Sequence, residues 1–449
     1  MPEVPAVLKS VLSEKLADSL AGDIPPSTPR QVEGVPFFPG KATVVVGMRR
    51  VGKTTYLNQL RRERLESGVA RHCLPYLNFE DERLEGLQAA HLGWLLDELD
   101  RNLVGQAHGR VLWSFDEIQL VDGWEKFLRR LLDRGDVDVV ATGSSATLLS
   151  REIATSLRGR AWTKSLFPFG FSEFLHHRGW NAPKPGKAVA AKDAAPMERR
   201  FLQWLTDGGF PEAQGLDAAT RGQLLLDYVD VAMLRDVVER HAVANVAGLR
   251  SMVRQLLGNA GAFFSVEKMH AALKSQGFNI SRDTMHQMLG HLEDCFLVRL
   301  VGMESSSARQ RMVNPRKAYP ADTGLIPLFD RSGKANVGHA LEGAVLLELE
   351  RRRCVVTYVK TRSGFEVDFL AKHPDGTSDL IQVCADASAP ETAQRELRAL
   401  EEAASQFPTT RRLLLVMDRS GFPRASPPGI EVRSAWEWML EAKVGRGRI

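Results

Sequence analysis

Cysteine is scarce. The 449 residues hold four, Cys73, Cys295, Cys354 and Cys384, with no CxxC pair and no histidine at zinc-ligand spacing. That excludes a disulfide framework and a finger-type zinc site, and it fits thiols kept in a reducing cytosol. Long apolar runs are missing too, since none approaches the roughly 20 residues that cross a bilayer. The opening stretch MPEVPAVLKSVLSEKLADSL carries Glu3, Glu14 and Asp18 among its apolar residues, which predicts an amphipathic helix and no secretory leader. The chain also lacks an excess of charge. Its formal net charge is +4, so any hold on nucleic acid must come from a local basic face and not from the field of the whole molecule. No segment repeats. These absences point to a cytoplasmic protein.

What is present is core-forming. Hydrophobic residues make up 44% and charged residues 25%, which is globular usage, and the length suggests roughly three domains. KATVVV (41–46), LPYLNF (74–79), RVLWSF (110–115), VDVVAT (137–142) and AWTKSLF (161–167) read as short apolar strands separated by helix-period segments. That alternation predicts an α/β domain with a parallel sheet covered on both faces. NAPKPGKAVAAKDAAP (181–196) breaks the pattern and reads as a linker or surface insertion.

The first chemical motif is Gly47-Met48-Arg49-Arg50-Val51-Gly52-Lys53-Thr54, followed by Thr55, set between a strand and a helix. It fits G-x-x-x-x-G-K-[ST], a loop whose backbone N–H groups cradle phosphates. Lys53 would reach the β- and γ-phosphates and Thr54 would hold Mg²⁺. The competing reading is a chance glycine loop. Asp116 and Glu117 in VLWSFDEIQ end the third strand, where Asp116 can face the Mg²⁺ shell and Glu117 can polarise the attacking water. In TGSSA, Ser144, or else Ser145, would sit beside the γ-phosphate, or would only cap the next helix. In SLRGR, Arg158 or Arg160 is a candidate arginine finger acting on a neighbouring subunit, with an exposed basic turn as the alternative.

Taken together, GMRRVGKT, FDEIQ with WEKFLRRL after it, TGSSATLLS, LRGR and LFPFGFSEFL resemble prokaryotic AAA-type (AAA+) P-loop ATPases with a C-terminal restriction-endonuclease-like domain. GGFPEA (208–213) and MLRDVVER (233–240) match the same family's middle region. The resemblance implies hydrolysis of ATP, with Mg²⁺, coupled to work on another macromolecule.

Farther on, LRSMVRQLLGNAG, SVEKMHAALKSQGF and SRDTMHQMLGHLEDC are amphipathic, the last two opening at Ser265 and Ser281 in N-cap positions. Followed by FLVRLVGM and KAYPADTGL, they predict a winged helix. Arg282 on its third helix and Arg309, Arg311, Arg316 and Lys317 in or beside the wing are the candidate contacts to DNA phosphates. A protein-docking or lid domain is the alternative use of such a fold. The order helix, three strands, helix, strand over 338–417 resembles the PD-(D/E)XK nuclease core. Glu342 and Asp368 match its first acidic positions, but Gln382 and Cys384 stand where an acid and a lysine are needed. This predicts a catalytically degenerate frame kept for binding.

The expected organisation is an N-terminal helix (1–30), an ATPase core (31–178), a linker (179–197), a helical lid-like segment (198–248), a winged helix (249–330) and a nuclease-like α/β domain (331–449). The functional expectation is a ring-forming homo-oligomer, such as a hexamer, that uses ATP to move or remodel DNA, branched DNA included. Two rivals stand beside it: an ATP-driven signalling or regulatory switch, and an ATP-gated nuclease.

Overall fold

The computed structural model describes residues 4–103, 109–143, 157, 159–183, 191–307, 310, 314–330 and 337–441. The chain divides into two compact units, Met1–Leu166 and Phe167–Ile449. Among the described residues no helix is long and apolar enough to cross a membrane.

The first unit opens with α1 (Ala6–Ala21), which buries Leu8, Val11, Leu12 and Leu16 along one stripe. There follow β1 (Ala42–Val46), α2 (Lys53–Glu66), β2 (Tyr76–Asn78), α3 (Leu92–Leu103), β3 (Val111–Asp116), α4 (Trp124–Leu132), β4 (Val137–Gly143) and β5 (Ala161–Ser165). The sheet order is β2-β3-β4-β1-β5 and every pairing is parallel. Every residue of β1 and β3 is buried, as a parallel sheet sandwiched between helices requires. Trp113 and Phe115 stack at 5.5 Å, and Phe127 of α4 meets Phe115 edge-on at 5.6 Å. This anchors β3 from its middle to its last apolar residue. The chain turns polar at Asp116 because the strand there leaves the helical cover for the carboxyl edge of the sheet, where α/β folds place ligands.

The second unit begins with α5 (Phe171–His177), α6 (Ala191–Asp207) and α7 (Ala218–Val231), the last running into a π-helical stretch, Ala232–Glu239. α6 starts inside the stretch read from sequence as a linker. Phe171, Phe174, Phe201 and Trp204 lie in one core with Leu341, Leu346, Phe369 and Trp436, so the aromatic run after β5 serves this unit's core. Next come α8 (Val246–Gly258), β6 (Phe263–Phe264), α9 (Val266–Ser275), α10 (Arg282–Asp294), β7 (Val298–Val301) and β8 (Arg316–Pro320). The three strands form an antiparallel sheet in the order β6-β8-β7. Ser265 and Ser281 cap α9 and α10, accepting from the N–H of Lys268 at 3.2 Å and of Thr284 at 3.0 Å.

The remaining elements are α11 (Val337–Arg351), β9 (Val355–Lys360), β10 (Glu366–Lys372), β11 (Ser378–Cys384), α12 (Pro390–Gln406), β12 (Arg411–Val416), β13 (Ile430–Ser434) and α13 (Ala435–Met439). The sheet order is β13-β12-β11-β10-β9, antiparallel from β9 to β11 and parallel from β11 to β13. The GGFPEA segment has a structural reason. Asp322 accepts from the N–H of Gly209 at 2.7 Å, and a Cβ on Gly208, which has φ 79°, would lie 1.9 Å from the Asp322 carboxylate.

Candidate nucleotide site

The loop between β1 and α2 uses backbone conformations that constrain its sequence. Gly52 has φ 93°, and a Cβ on Gly47 would lie 2.1 Å from the Leu166 carbonyl, so both positions need glycine. Arg50 is also left-handed, at φ 66°. Lys53, buried at the first turn of α2, donates to the carbonyls of Gly47 at 3.2 Å and Met48 at 3.3 Å, with its Nζ 3.8 Å from Glu117 Oε1. Its ammonium is thus folded over the loop. Arg49 lies on the rim and pairs with Glu80 at 3.6 Å.

Asp116 is the hub of the site. Its Oδ2 accepts from Thr54 Oγ1 at 2.6 Å and from the Tyr76 hydroxyl at 2.9 Å, and its Oδ1 accepts from Thr142 Oγ1 at 2.5 Å. Thr142 Oγ1 also accepts the Glu117 N–H at 2.9 Å, joining the two acidic residues through one hydroxyl. Burial first, and then the Asp116 charge, hold the Tyr76 phenol well above its ordinary value, so it remains a donor. Glu117 has φ 53°, an uncommon conformation for a residue with a side chain, and Gln119 donates its amide to Glu117 Oε2.

The structure therefore brings Lys53, Thr54, Asp116 and Glu117 together at the carboxyl edge of the sheet. Ser144, Ser145 and Arg158 lie outside the described residues. Arg160 pairs with Asp133 beyond the end of α4. Sequence reasoning missed three contributors. Tyr76 and Thr142 orient Asp116 from β2 and β4, and their only signal is their place at the carboxyl ends of strands flanking β3. Arg30, ahead of β1, is buried with its guanidinium donating to the Val51 carbonyl at 2.5 Å, while Gln59 accepts its N–H at 2.7 Å. It braces the loop from outside the motif.

A family model described as an AAA domain matches residues 39–175, and a second, described as a domain of unknown function, matches residues 198–333. An uncharacterized protein of Methanocaldococcus jannaschii, MJ1544, is 33% identical over 423 residues, covering 92% of this chain and 90% of that protein. The chain belongs to the same family as that protein and carries an AAA domain. An uncharacterized protein of Haemophilus influenzae is 29% identical over 332 residues, 74% of this chain and 80% of its own length. Among solved structures, the Walker-type ATPase PABY2304 of Pyrococcus abyssi matches at 17% identity and a TM-score of 0.36, over 72% of this chain and 95% of that one. The Orc1 protein of Aeropyrum pernix, solved in complex with DNA, matches at 15% identity and a TM-score of 0.26, over 73% and 92%.

Outside the AAA domain, the second unit corrects one expectation. Lys317, a candidate DNA contact, is buried, because β8 turns its side chain inward to carboxylates contributed by α11 and β10. Its Nζ lies 2.7 Å from Glu342, 2.5 Å from Glu366 and 3.1 Å from Asp368. Burial alone would pull the Lys317 ammonium down, but Asp368, Glu342 and Glu366 outweigh it and hold it well above the usual lysine value. Glu342 is pushed up to about 8, by burial first and the Asp368 charge second, and accepts from the Tyr319 hydroxyl at 2.5 Å. Gln382 accepts the Asp368 N–H at 3.3 Å and donates to Glu396 at 2.6 Å, and Cys384 donates to the Asp386 carbonyl at 3.2 Å. Burial raises that thiol's pKa. Of the other DNA-contact candidates, Arg282 is exposed at the start of α10, Arg316 is half-buried, and Arg309 and Arg311 lie outside the described residues.

Proposed function

We propose that this AAA domain hydrolyses ATP in a Mg²⁺-dependent reaction and couples turnover to movement or remodelling of DNA. The observation that carries the ATPase half is Thr54 at 2.6 Å from Asp116, with Lys53 and Glu117 beside them. A hydroxyl and a carboxylate so close offer hard oxygen ligands, which suit Mg²⁺, and that ion when bound would neutralise charge between the β- and γ-phosphates. On nucleotide binding Lys53 exchanges the carbonyls of Gly47 and Met48 for phosphate oxygens. That removes its charge from the neighbourhood of Glu117 Oε1 and frees the carboxylate to take a proton from water. Tyr76 and Thr142 keep Asp116 aimed at Thr54 throughout.

The DNA half draws support from an open pocket of about 440 Å³ in the first unit, lined by Lys126, Arg129, Arg130, Asp133 and Arg160. Four cations face one carboxylate there, and that carboxylate is paired with Arg160. Arg129 Nε is buried without a hydrogen-bond partner among the described residues. It is a local basic face of the kind that DNA binding by a chain of small net charge would need, and it suits a phosphodiester backbone. Exchanging Arg129 and Arg130 for glutamine is expected to weaken binding of a labelled duplex uniformly across sequences and to reduce the salt slope of log K by roughly 2. Fluorescence anisotropy from low to moderate salt measures both. An unchanged slope removes this face from the interface.

On this proposal the C-terminal sheet is a binding module and not a nuclease, because Gln382 and Cys384 stand where an acid and a lysine are needed. On this reading plasmid incubated with Mg²⁺ or Mn²⁺ stays intact. That arrangement also keeps alive the rival reading, a nucleotide-driven switch whose C-terminal unit docks a protein. Strong stimulation of ATPase activity by DNA supports the remodelling reading, and no stimulation at low salt supports the switch. A ring of subunits, with Arg158 or Arg160 reaching a neighbour's γ-phosphate, belongs to the same proposal.

A further inference from the structure

Gln119 has no part in the constellation described so far beyond its grip on Glu117. It lies in the short turn Ile118–Leu120 directly after that residue. Its amide nitrogen donates to Glu117 Oε2, while the other oxygen of the carboxylate faces Lys53 at 3.8 Å. The Gln119 carbonyl oxygen is buried and has no hydrogen-bond partner among the described residues. An acceptor left in that state costs roughly 1–3 kcal/mol, so such atoms are rare and each calls for a reason. Here the orphan belongs to the same side chain that holds the catalytic carboxylate, so a small donor bound next to Glu117 would satisfy it.

We propose that Gln119 is a second catalytic residue of the ATPase reaction, its carbonyl oxygen accepting a hydrogen bond from the water that Glu117 activates. This inference rests on the ATPase reading above. In the reacting complex the water has two protons to place, and the two side chains take one each. One O–H points to Glu117, which receives the proton as the water oxygen's electron pair forms the new bond to the γ-phosphorus. The other O–H stays hydrogen-bonded to Gln119 and fixes the direction of attack. The bond from the γ-phosphorus to the bridging oxygen breaks, its electron pair leaves on ADP, and the proton on Glu117 passes to solvent as inorganic phosphate departs. The amide N–H meanwhile holds Glu117 Oε2, so that Oε1 is the oxygen presented to the water once Lys53 has moved to the phosphates. One residue thereby sets both the orientation of the base and that of the nucleophile.

The test uses Gln119→Met, which keeps the length of the side chain and deletes both hydrogen-bonding atoms. Expected are an unchanged affinity for a fluorescent ADP analogue, an unchanged melting temperature and KM, and a kcat lower by on the order of 10²-fold, the loss that follows from misplacing a reacting atom. A residue with only a structural role would move affinity or melting together with kcat. The double variant Glu117→Gln, Gln119→Met supplies a second readout. If both residues act on one water, it is no slower than Glu117→Gln alone, because groups acting as a unit are not additive. Full kcat in Gln119→Met, or additive losses in the double variant, overturns the inference and leaves the ATPase reading standing. A wild-type protein that binds ATP and never hydrolyses it overturns the ATPase reading itself.

Discussion

Replacing Glu117 with glutamine is expected to leave ATP bound and to lower kcat by roughly two to four powers of ten, the usual worth of a positioned proton acceptor. The substitution is nearly isosteric. It should keep the left-handed backbone at this position, and the Thr142 hydroxyl that accepts the Glu117 N–H at 2.9 Å remains in place. Lys53, Thr54 and Asp116 are untouched, so nucleotide affinity should hold or rise slightly as a carboxylate leaves the neighbourhood of the phosphates. Lys53→Ala should do the reverse, weakening binding itself, because its ammonium is folded directly onto the loop carbonyls of Gly47 and Met48. Isothermal titration with a non-hydrolysable analogue, together with phosphate release under saturating ATP, separates the two variants. Wild-type turnover in Glu117→Gln would remove this residue from its assigned role.

The second large effect concerns Lys317. Exchanging it for methionine leaves Glu342, Glu366 and Asp368 facing one another in a buried space, and breaking a buried ion pair by removing one partner costs about 3–5 kcal/mol. For a unit of this size that corresponds to roughly 10 °C in melting temperature. Neutralising the partners as well, with Glu342→Gln and Asp368→Asn on the same background, should recover much of the loss, because a buried charge set replaced as a whole is often tolerated. Calorimetry decides between the outcomes. A Lys317→Met protein that melts with the wild type would mean that the cluster is solvated and carries little energy.

The same cluster gives a pH dependence whose sign is fixed. The Glu342 carboxyl is raised in the folded unit from an ordinary 4.5 to about 8, so between those values the native state holds a proton that the unfolded chain has released. Stability from this group is complete below about pH 4.5 and is lost as pH rises through about 8. Lys317 stays charged across that window. A denaturation midpoint that falls from about pH 6 to about pH 9 in the wild type, and falls less in Glu342→Gln, is the expected pattern.

Much of the first unit was legible because parallel strands bury both faces. ATVVV and VLWSFD read as continuous apolar runs, and the loop between β1 and α2 has glycines that its backbone angles demand. The partners of Asp116 were not legible. Tyr76 and Thr142 reach it only because β2 and β4 flank β3, and strand order cannot be read from local pattern. Lys317 misled for a related reason. In KAYPADTGL it looks like a basic residue on a polar excursion, but the period of two along β8 sends its side chain inward to residues 25 and 51 positions away. The aromatic run LFPFGFSEFL resembles the AAA family and falls within the matched residues 39–175, yet Phe171 and Phe174 pack with helices and strands far along the chain. Hydrophobic pattern says that a segment is buried. It does not say in which core.

Glu117 occupies a backbone conformation, φ 53°, that glycine or asparagine would adopt with less strain. If Glu117 serves as proposed, heat tolerance and turnover make opposite demands on one codon. Breeding such a protein for thermal endurance alone would drift toward a sturdier scaffold that no longer burns its fuel, so a thermostable member of the lineage that retains an acid here is being held to it by its work.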